Sequence, residues 1–246
     1  MKQLFVKTEN AKRFRSGLAM LDSRGAAESG LMLVSGRPGE GKTTTVMNWA
    51  AEVGAARLTA YPKWTVERAM RELAAALSIP VERGYEARIE ETIAEHEIPI
   101  IVDEAGYALE KNAACLERLR HITDKSSTVM VMVMMEKHNA ALSRIDQLAS
   151  RISWTVEFKP SVLADVAAAC AQLAEGVAFA DDLVERIHRE TNARMRLVMT
   201  AIARCEAVAK RNGLTTIGAE HMKGMPLCED FRSEEHTSEL QSRQYL

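Results

Sequence analysis

Cysteine is scarce in this chain: Cys115, Cys170, Cys205 and Cys228 are the only four in 246 residues, and no two form a C-x-x-C pair. Spacing this wide argues against a zinc ribbon or a disulfide framework and leaves reduced thiols whose role is packing. Long uncharged apolar runs are missing near the start, where Lys2, Lys7, Glu9, Lys12 and Arg13 interrupt the sequence. The expectation is therefore a cytoplasmic chain with no signal peptide and no membrane span. An excess of one charge sign is missing too. The formal net charge is −2, so there is no global basic field, and any nucleic-acid contact must come from a local patch. Internal repeats are absent, and the only biased stretches are alanine-rich helices. What remains is a hydrophobic content of 47%, enough for one large domain or a medium domain with a small companion.

The most informative stretch is Leu31 to Thr45, LMLVSGRPGEGKTTT. Within it Gly36-Arg37-Pro38-Gly39-Glu40-Gly41-Lys42-Thr43-Thr44 fits G-x-x-x-x-G-K-[ST], the Walker A pattern. Glycines let backbone N–H groups wrap phosphate, the lysine reaches the outer phosphates, and the Thr43 hydroxyl holds Mg²⁺. The apolar run before it reads as a strand and Lys42 to Val53 as a helix, whose positive dipole end faces the anion. ATP and Mg²⁺ are the implied ligands.

A second motif completes the site. Ile98 to Val102 reads as a buried strand that puts Asp103 at its carboxyl end, followed by Glu104. In such a Walker B arrangement Asp103 orients Mg²⁺, and Glu104 polarises the water that attacks the γ-phosphate. An apolar run ending in Asp-Glu is a weak signal alone, and gains weight at this distance after Lys42.

The remaining segments alternate. Asn10 to Leu21 reads as a helix, Ser23 to Ser29 as a turn, and Ala56 to Ala60 as a strand. Val66 to Leu77, Glu86 to His96, Tyr107 to Ile122 and Asn139 to Leu148 have helical spacing. Thr128 to Met135, TVMVMVMM, fits a central strand buried on both faces, with methionine as core filling, and Ile152 to Phe158 fits the last strand. Strands alternating with helices predict an α/β fold, a parallel P-loop sheet flanked by helices. After Lys159-Pro160 every segment reads as helical: Ser161 to Ala174, Asp181 to Glu190, Ala193 to Arg211, and one more turn over Thr216 to Met222. The predicted division is residues 1–159 as nucleotide-binding core and 160–231 as a small helical lid. Residues 232–246, RSEEHTSELQSRQYL, resemble the translation of a sequencing-adapter oligonucleotide and are set aside from the fold; a natural polar tail is the alternative.

Walker A, Walker B with Asp-Glu and a helical lid together resemble an AAA+ ATPase. Phe5-Val6-Lys7-Thr8-Glu9-Asn10, Asp103-Glu104-Ala105, Leu119-Arg120 with Asp124, and Gln147-Leu148-Ala149-Ser150-Arg151 are similar to the MuB-type transposition proteins of Mu-like phages. The resemblance spans about Leu4 to Gly213. It implies homo-oligomers, rings or filaments, that assemble with ATP on double-stranded DNA, select or deliver target DNA and stimulate a transposase. It also implies an arginine finger from a neighbouring subunit, with Arg151 first and Arg144 second in line, and a lid arginine on the nucleotide, Arg194 or the nearby Arg196. Two departures stand out. Met134, Met135 and Glu136 occupy the stretch where a polar sensor-1 residue is usual, which predicts slow hydrolysis, and the chain has no room for the family's extra helix-turn-helix domain.

DNA contact must then come from the core, through lysines and arginines repeated around an assembly. The candidates are Lys63, Arg68 and Arg71 beside Trp64, with Lys111 and Arg118 further off. No groove-reading element is present, so binding is expected to be sequence-non-specific. A replication initiator or helicase loader is the alternative within the same superfamily, although no room exists for the added domains those proteins need. A nucleotide-dependent scaffold with negligible turnover is the alternative from a different class.

Overall fold

The computed structural model describes residues 1–23, 30–109 and 113–229. By contact the chain forms two units, Asn10–Lys159 and a second made of Met1–Glu9 with the described residues from Pro160 on.

Alternation along three short strands places the core of the first unit. In β1 (Leu31–Ser35), β3 (Ile100–Asp103) and β4 (Met130–Val133) every residue is buried. Period-two pleating sends Leu31, Leu33, Ile100, Val102, Met130 and Met132 to one face, and Met32, Val34, Ile101, Val131 and Val133 to the other. With β2 (Ala56–Thr59) and β5 (Ile152–Glu157) they make an all-parallel sheet in the order β2-β3-β4-β1-β5. One face is covered by α1 (Glu9–Asp22) and α2 (Lys42–Val53), where Phe14 meets Trp49 edge to face at 5.7 Å. The other face carries α3 (Val66–Ala76), α4 (Tyr85–His96) and α5 (Ala114–Ser126). The buried methionines of β4 are core filling, as its composition predicts.

Gly17 lets α1 lie close to the sheet. A Cβ there would meet Met32 Cε at 2.7 Å, Trp154 Cδ1 at 2.8 Å and Val156 Cγ2 at 2.9 Å. Gly17→Val is therefore expected to lower stability by about 1–3 kcal/mol through overpacking, because the helix-propensity gain over glycine, at most about 1 kcal/mol, does not offset it. A thermal melt shifted down by several degrees checks this.

Two predicted helices are broken. In place of one helix from Tyr107 to Ile122 there is a 3₁₀ turn, Ala105–Leu109, and then α5, which runs on to Ser126. Ala105 and Ala108 are buried three residues apart, the period of that turn, and Ala113 takes a left-handed φ of 54° that resets the chain before α5. Asn139 to Leu148 is likewise two single turns, α6 (Asn139–Leu142) and α7 (Asp146–Ala149). An unbroken helix would put Leu142 and Leu148 about 120° apart around its axis. Leaving helical geometry at Ile145 lets Leu142, Ile145 and Leu148 all pack into the same core. The predicted turn at Ser23 to Ser29 lies almost wholly outside the described residues, as does the 232–246 segment.

The second unit packs α8 (Leu163–Leu173), α9 (Asp181–Glu190) and α10 (Met195–Arg211) around Val166, Cys170, Leu183, Ile187, Val198, Ile202 and Cys205. It is mostly rather than wholly helical. Ala178–Phe179 (β6) and Thr216–Ile217 (β7) form a two-residue parallel pair, too short for alternation to reveal, and the expected last turn is confined to Ala219–Met222. Met1–Glu9, read from sequence as part of the nucleotide-binding portion, packs here. Val6 joins the apolar cluster, Lys2 N–H donates to Leu173 O at 2.7 Å, and Glu9 N–H donates to the buried Asp165 carboxylate at 3.0 Å. The ends of the first unit are tied to each other: the buried Asn10 amide donates to Lys159 O at 2.7 Å and accepts from Lys159 N–H at 3.1 Å.

Glu206 is a buried carboxylate in α10. Burial pushes its pKa up, but hydrogen bonds from Lys210 Nζ, the Met1 amino group and Glu175 N–H outweigh this and hold it at about 2. A carboxyl whose folded pKa is depressed stabilises fully above the unfolded value, near 4.5, and loses that contribution as pH falls toward 2. Glu206→Gln is expected to destabilise the protein at pH 7 and to flatten its acid dependence across that window, measured by denaturant titration at several pH values.

Candidate nucleotide-binding site

The carboxyl ends of β1, β4 and β3 lie side by side, which is where open parallel sheets bind ligands. β1 runs directly into the Walker A loop. Gly36 has φ 151°, and a Cβ on it would sit 2.5 Å from Glu40 Oε2 and 2.8 Å from Phe158 O, so glycine is required. Gly39 and Gly41 take left-handed φ values of 87° and 88° and curl the loop toward the first turn of α2. Arg37 N–H donates to Glu40 Oε2 at 2.7 Å, and Lys42 Nζ donates to Gly36 O and Arg37 O, both at 2.8 Å. Pro38 is half-buried, whereas Thr43 and Thr44 are exposed at the start of α2.

Charge in the loop is closely balanced. Burial pushes the Lys42 ammonium pKa down, and the carboxylates of Glu40, Glu104, Asp103 and Glu136 oppose it. Burial raises the Glu40 pKa, and the Arg37 N–H bond and the Lys42 charge resist. Helix N–H groups without intrahelical partners, one ammonium, a threonine hydroxyl and an acidic strand end form a donor set that fits magnesium and a nucleoside triphosphate.

β3 delivers the acids. Asp103 is buried, and its Oδ1 accepts Glu104 N–H at 2.9 Å. Glu104 has φ 51°, an uncommon left-handed conformation for a non-glycine residue and one that concentrates at functional sites. β4 lies between β1 and β3, and the chain beyond it passes through buried Met134, half-buried Met135 and exposed Glu136. Two residues that the motifs do not include also reach this region. Glu136 Oε1 accepts from Arg37 Nε at 3.2 Å, and the His138 ring lies against Gly106. These contacts join residues 99 and 32 positions apart, so no local pattern announces them.

Of the arginine candidates, Arg151 is placed apart from the loop. Leu31 pairs with Ile152, so Arg151 sits beside the amino end of β1, whereas the phosphate loop follows its carboxyl end. Five residues of strand separate them by about 16 Å. Arg151 therefore cannot serve its own chain's phosphates and could act only on a neighbour's; Arg144, exposed, lies on the same α6–α7 segment. In the second unit Arg194 is half-buried at the start of α10, after two consecutive left-handed residues, Asn192 and Ala193, with Ser161 N–H bonded to Ala193 O; Arg196 is exposed.

The basic candidates separate as well. Lys63 is exposed with φ 64°, Arg68 is exposed with its guanidinium 5.8 Å from the Tyr61 ring centroid, and Arg71 pairs with Glu67 at 2.9 Å. Trp64 is buried, with Nε1 donating to Glu72 Oε2 at 2.9 Å, so it belongs to the core rather than to an exposed stacking surface. Arg118 is held by Glu86 and Glu90, both at 2.9 Å, which neutralises it. Lys111 lies outside the described residues.

Residues 26–142 match the family model described as an AAA domain. Sheet order and loop show the AAA+ P-loop fold with a mostly helical C-terminal region, and the matched span is similar to AAA domains. Among solved structures, Cdc6p of Pyrobaculum aerophilum is similar over 91% of this chain and 67% of its own, with TM-score 0.59 and 19% identity. The RuvB Holliday junction branch migration motor of Thermotoga maritima is similar over 89% and 70%, with TM-score 0.60 and 19% identity. Drosophila ORC bound to DNA is similar over 88% and 60%, with TM-score 0.60 and 16% identity. Identities this low show a shared fold. No curated protein matches the sequence. Among the described residues no helix is long and apolar enough to cross a membrane.

Proposed function

We propose that this protein is an ATP-regulated, sequence-non-specific DNA-binding ATPase that oligomerises on DNA, selects or delivers target DNA and stimulates a transposase. The observation that carries the ATPase part is the placement of the Gly36–Thr44 loop and the Asp103-Glu104 pair at strand ends separated only by β4. Thr43 and Asp103 would hold Mg²⁺, which supplies charge neutralisation on the phosphates when bound. The loop N–H groups and Lys42 hold the triphosphate, and Glu104 orients the attacking water and takes up its proton. Arg151, unable to reach its own loop, completes a neighbour's site, which ties turnover to assembly. Arg194 or Arg196 is the arginine that the resemblance implies on the nucleotide.

The transposition role rests on the resemblance of the flanking segments to MuB-type proteins. DNA binding is supported by the exposed Lys63 and Arg68 and by the DNA-bound state of similar structures such as Drosophila ORC. Co-sedimentation of the full chain with random-sequence duplex DNA, in ATP, ADP and no nucleotide, tests the reading. Pelleting is expected with ATP alone. Lys63→Glu with Arg68→Glu should abolish it while ATP binding persists, and neutralising those two sites should reduce the salt slope by roughly 2 per protomer. Failure to pellet in any nucleotide state would overturn the DNA role; transposase stimulation is the following assay.

A further inference from the structure

One short element touches both halves of the nucleotide site. The single 3₁₀ turn Glu136–His138 follows β4. At its start Glu136 reaches the Walker A loop, accepting from Arg37 Nε at 3.2 Å and donating its N–H to Gly36 O at 3.4 Å. At its end the His138 ring rests on the Walker B turn. A Cβ on Gly106 would lie 2.4 Å from His138 Cδ2 and 2.6 Å from Nε2. Gly106 is not in the left-handed region, so glycine is needed there for space and not for conformation. The missing Cβ lets an imidazole edge bearing a nitrogen approach the turn two residues after Glu104.

The chemistry of that edge suits the place. Burial lowers the His138 pKa, the Lys137 charge lowers it further, and the Glu104 carboxylate pulls the other way, which puts Glu104 within electrostatic reach of the ring. The net direction favours the neutral ring. A neutral imidazole donates one N–H to a carboxylate without cancelling its charge, which Met134 and Met135 cannot do.

We propose that His138 is a positioning residue that orients the Glu104 carboxylate toward the attacking water, in place of the polar side chain missing from the end of β4. This rests on the ATPase reading above. His138→Ala is expected to lower kcat for ATP by about 10- to 100-fold, the range for a misplaced catalytic group, with KM and fluorescent-nucleotide affinity within about twofold. His138→Gln, which keeps a side-chain N–H donor, should recover part of that rate. Gly106→Ala, which displaces the ring without removing it, should reproduce the loss. In a Glu104→Gln background His138→Ala should cost nothing more, because the two act as one unit. Full turnover in His138→Ala, or an equal further loss on top of Glu104→Gln, would overturn the proposal and leave the ATPase reading intact. A wild-type protein without turnover overturns both.

Discussion

Lys42→Ala is expected to weaken ATP binding by two orders of magnitude or more and to abolish ATP-dependent assembly on DNA. The ammonium is buried and bonds two loop carbonyls, Gly36 O and Arg37 O, so it is a strut of the loop as well as the proposed phosphate ligand. Truncating one partner of a buried, hydrogen-bonded charge pair costs about 2–5 kcal/mol, or roughly 30- to 4,000-fold in affinity. The upper part of that range applies, because the carboxylates of Glu40, Glu104, Asp103 and Glu136 would lose their shared cation and would face the triphosphate with unopposed negative charge. Fluorescent-nucleotide titration measures the loss, and an unchanged circular dichroism melt shows that it is local. Unaltered affinity would mean that the phosphates do not sit on this loop.

Glu104→Gln should separate binding from turnover. The substitution keeps size and a side-chain oxygen, and it does not alter the Asp103–Glu104 N–H bond that supports the left-handed backbone at this position. In the proposed mechanism what disappears is the charge that takes the water's proton, a contribution of about 10²–10⁴ in rate for a general base. Hydrolysis is expected to fall by that factor while ATP affinity stays within a few-fold, and DNA-bound assemblies should outlast those of the wild type after dilution. Single-turnover hydrolysis and timed co-sedimentation measure the two halves. Short-lived assemblies in this variant would detach assembly from the hydrolytic step.

Where burial leaves a residue run only one option, the fold was legible. TVMVMVMM suits nothing readily except a strand covered on both faces, and the alternation of such runs with amphipathic helices leads to a parallel sheet. The phosphate loop was legible for a different reason: its function depends on contiguous backbone, so it is written contiguously. Features set by distant contacts were not. Leu142, Ile145 and Leu148 look like one helix because three-residue spacing is close to a helical period, yet their common core breaks it. Trp64 looked like a companion to exposed cations until its indole N–H was found on Glu72, and Arg118 looked cationic until Glu86 and Glu90 closed on it. His138 carries no motif at all, and Glu136 enters the sequence reading only as part of a departure from one; the parallel register of β1, β3 and β4 brings them to the nucleotide loop.

The amide of Asn10 closing on the backbone of Lys159 makes the first unit a loop inserted between two pieces of the second. During synthesis Met1–Glu9 emerge before the sheet, yet their partners, Asp165, Leu173 and the apolar cluster that receives Val6, emerge only after the whole sheet has been made. The nucleotide-binding unit can thus be finished on the ribosome while the other still waits for its second piece. A fragment starting at Pro160 would never be given the first, and would keep a buried aspartate without the N–H that Glu9 provides.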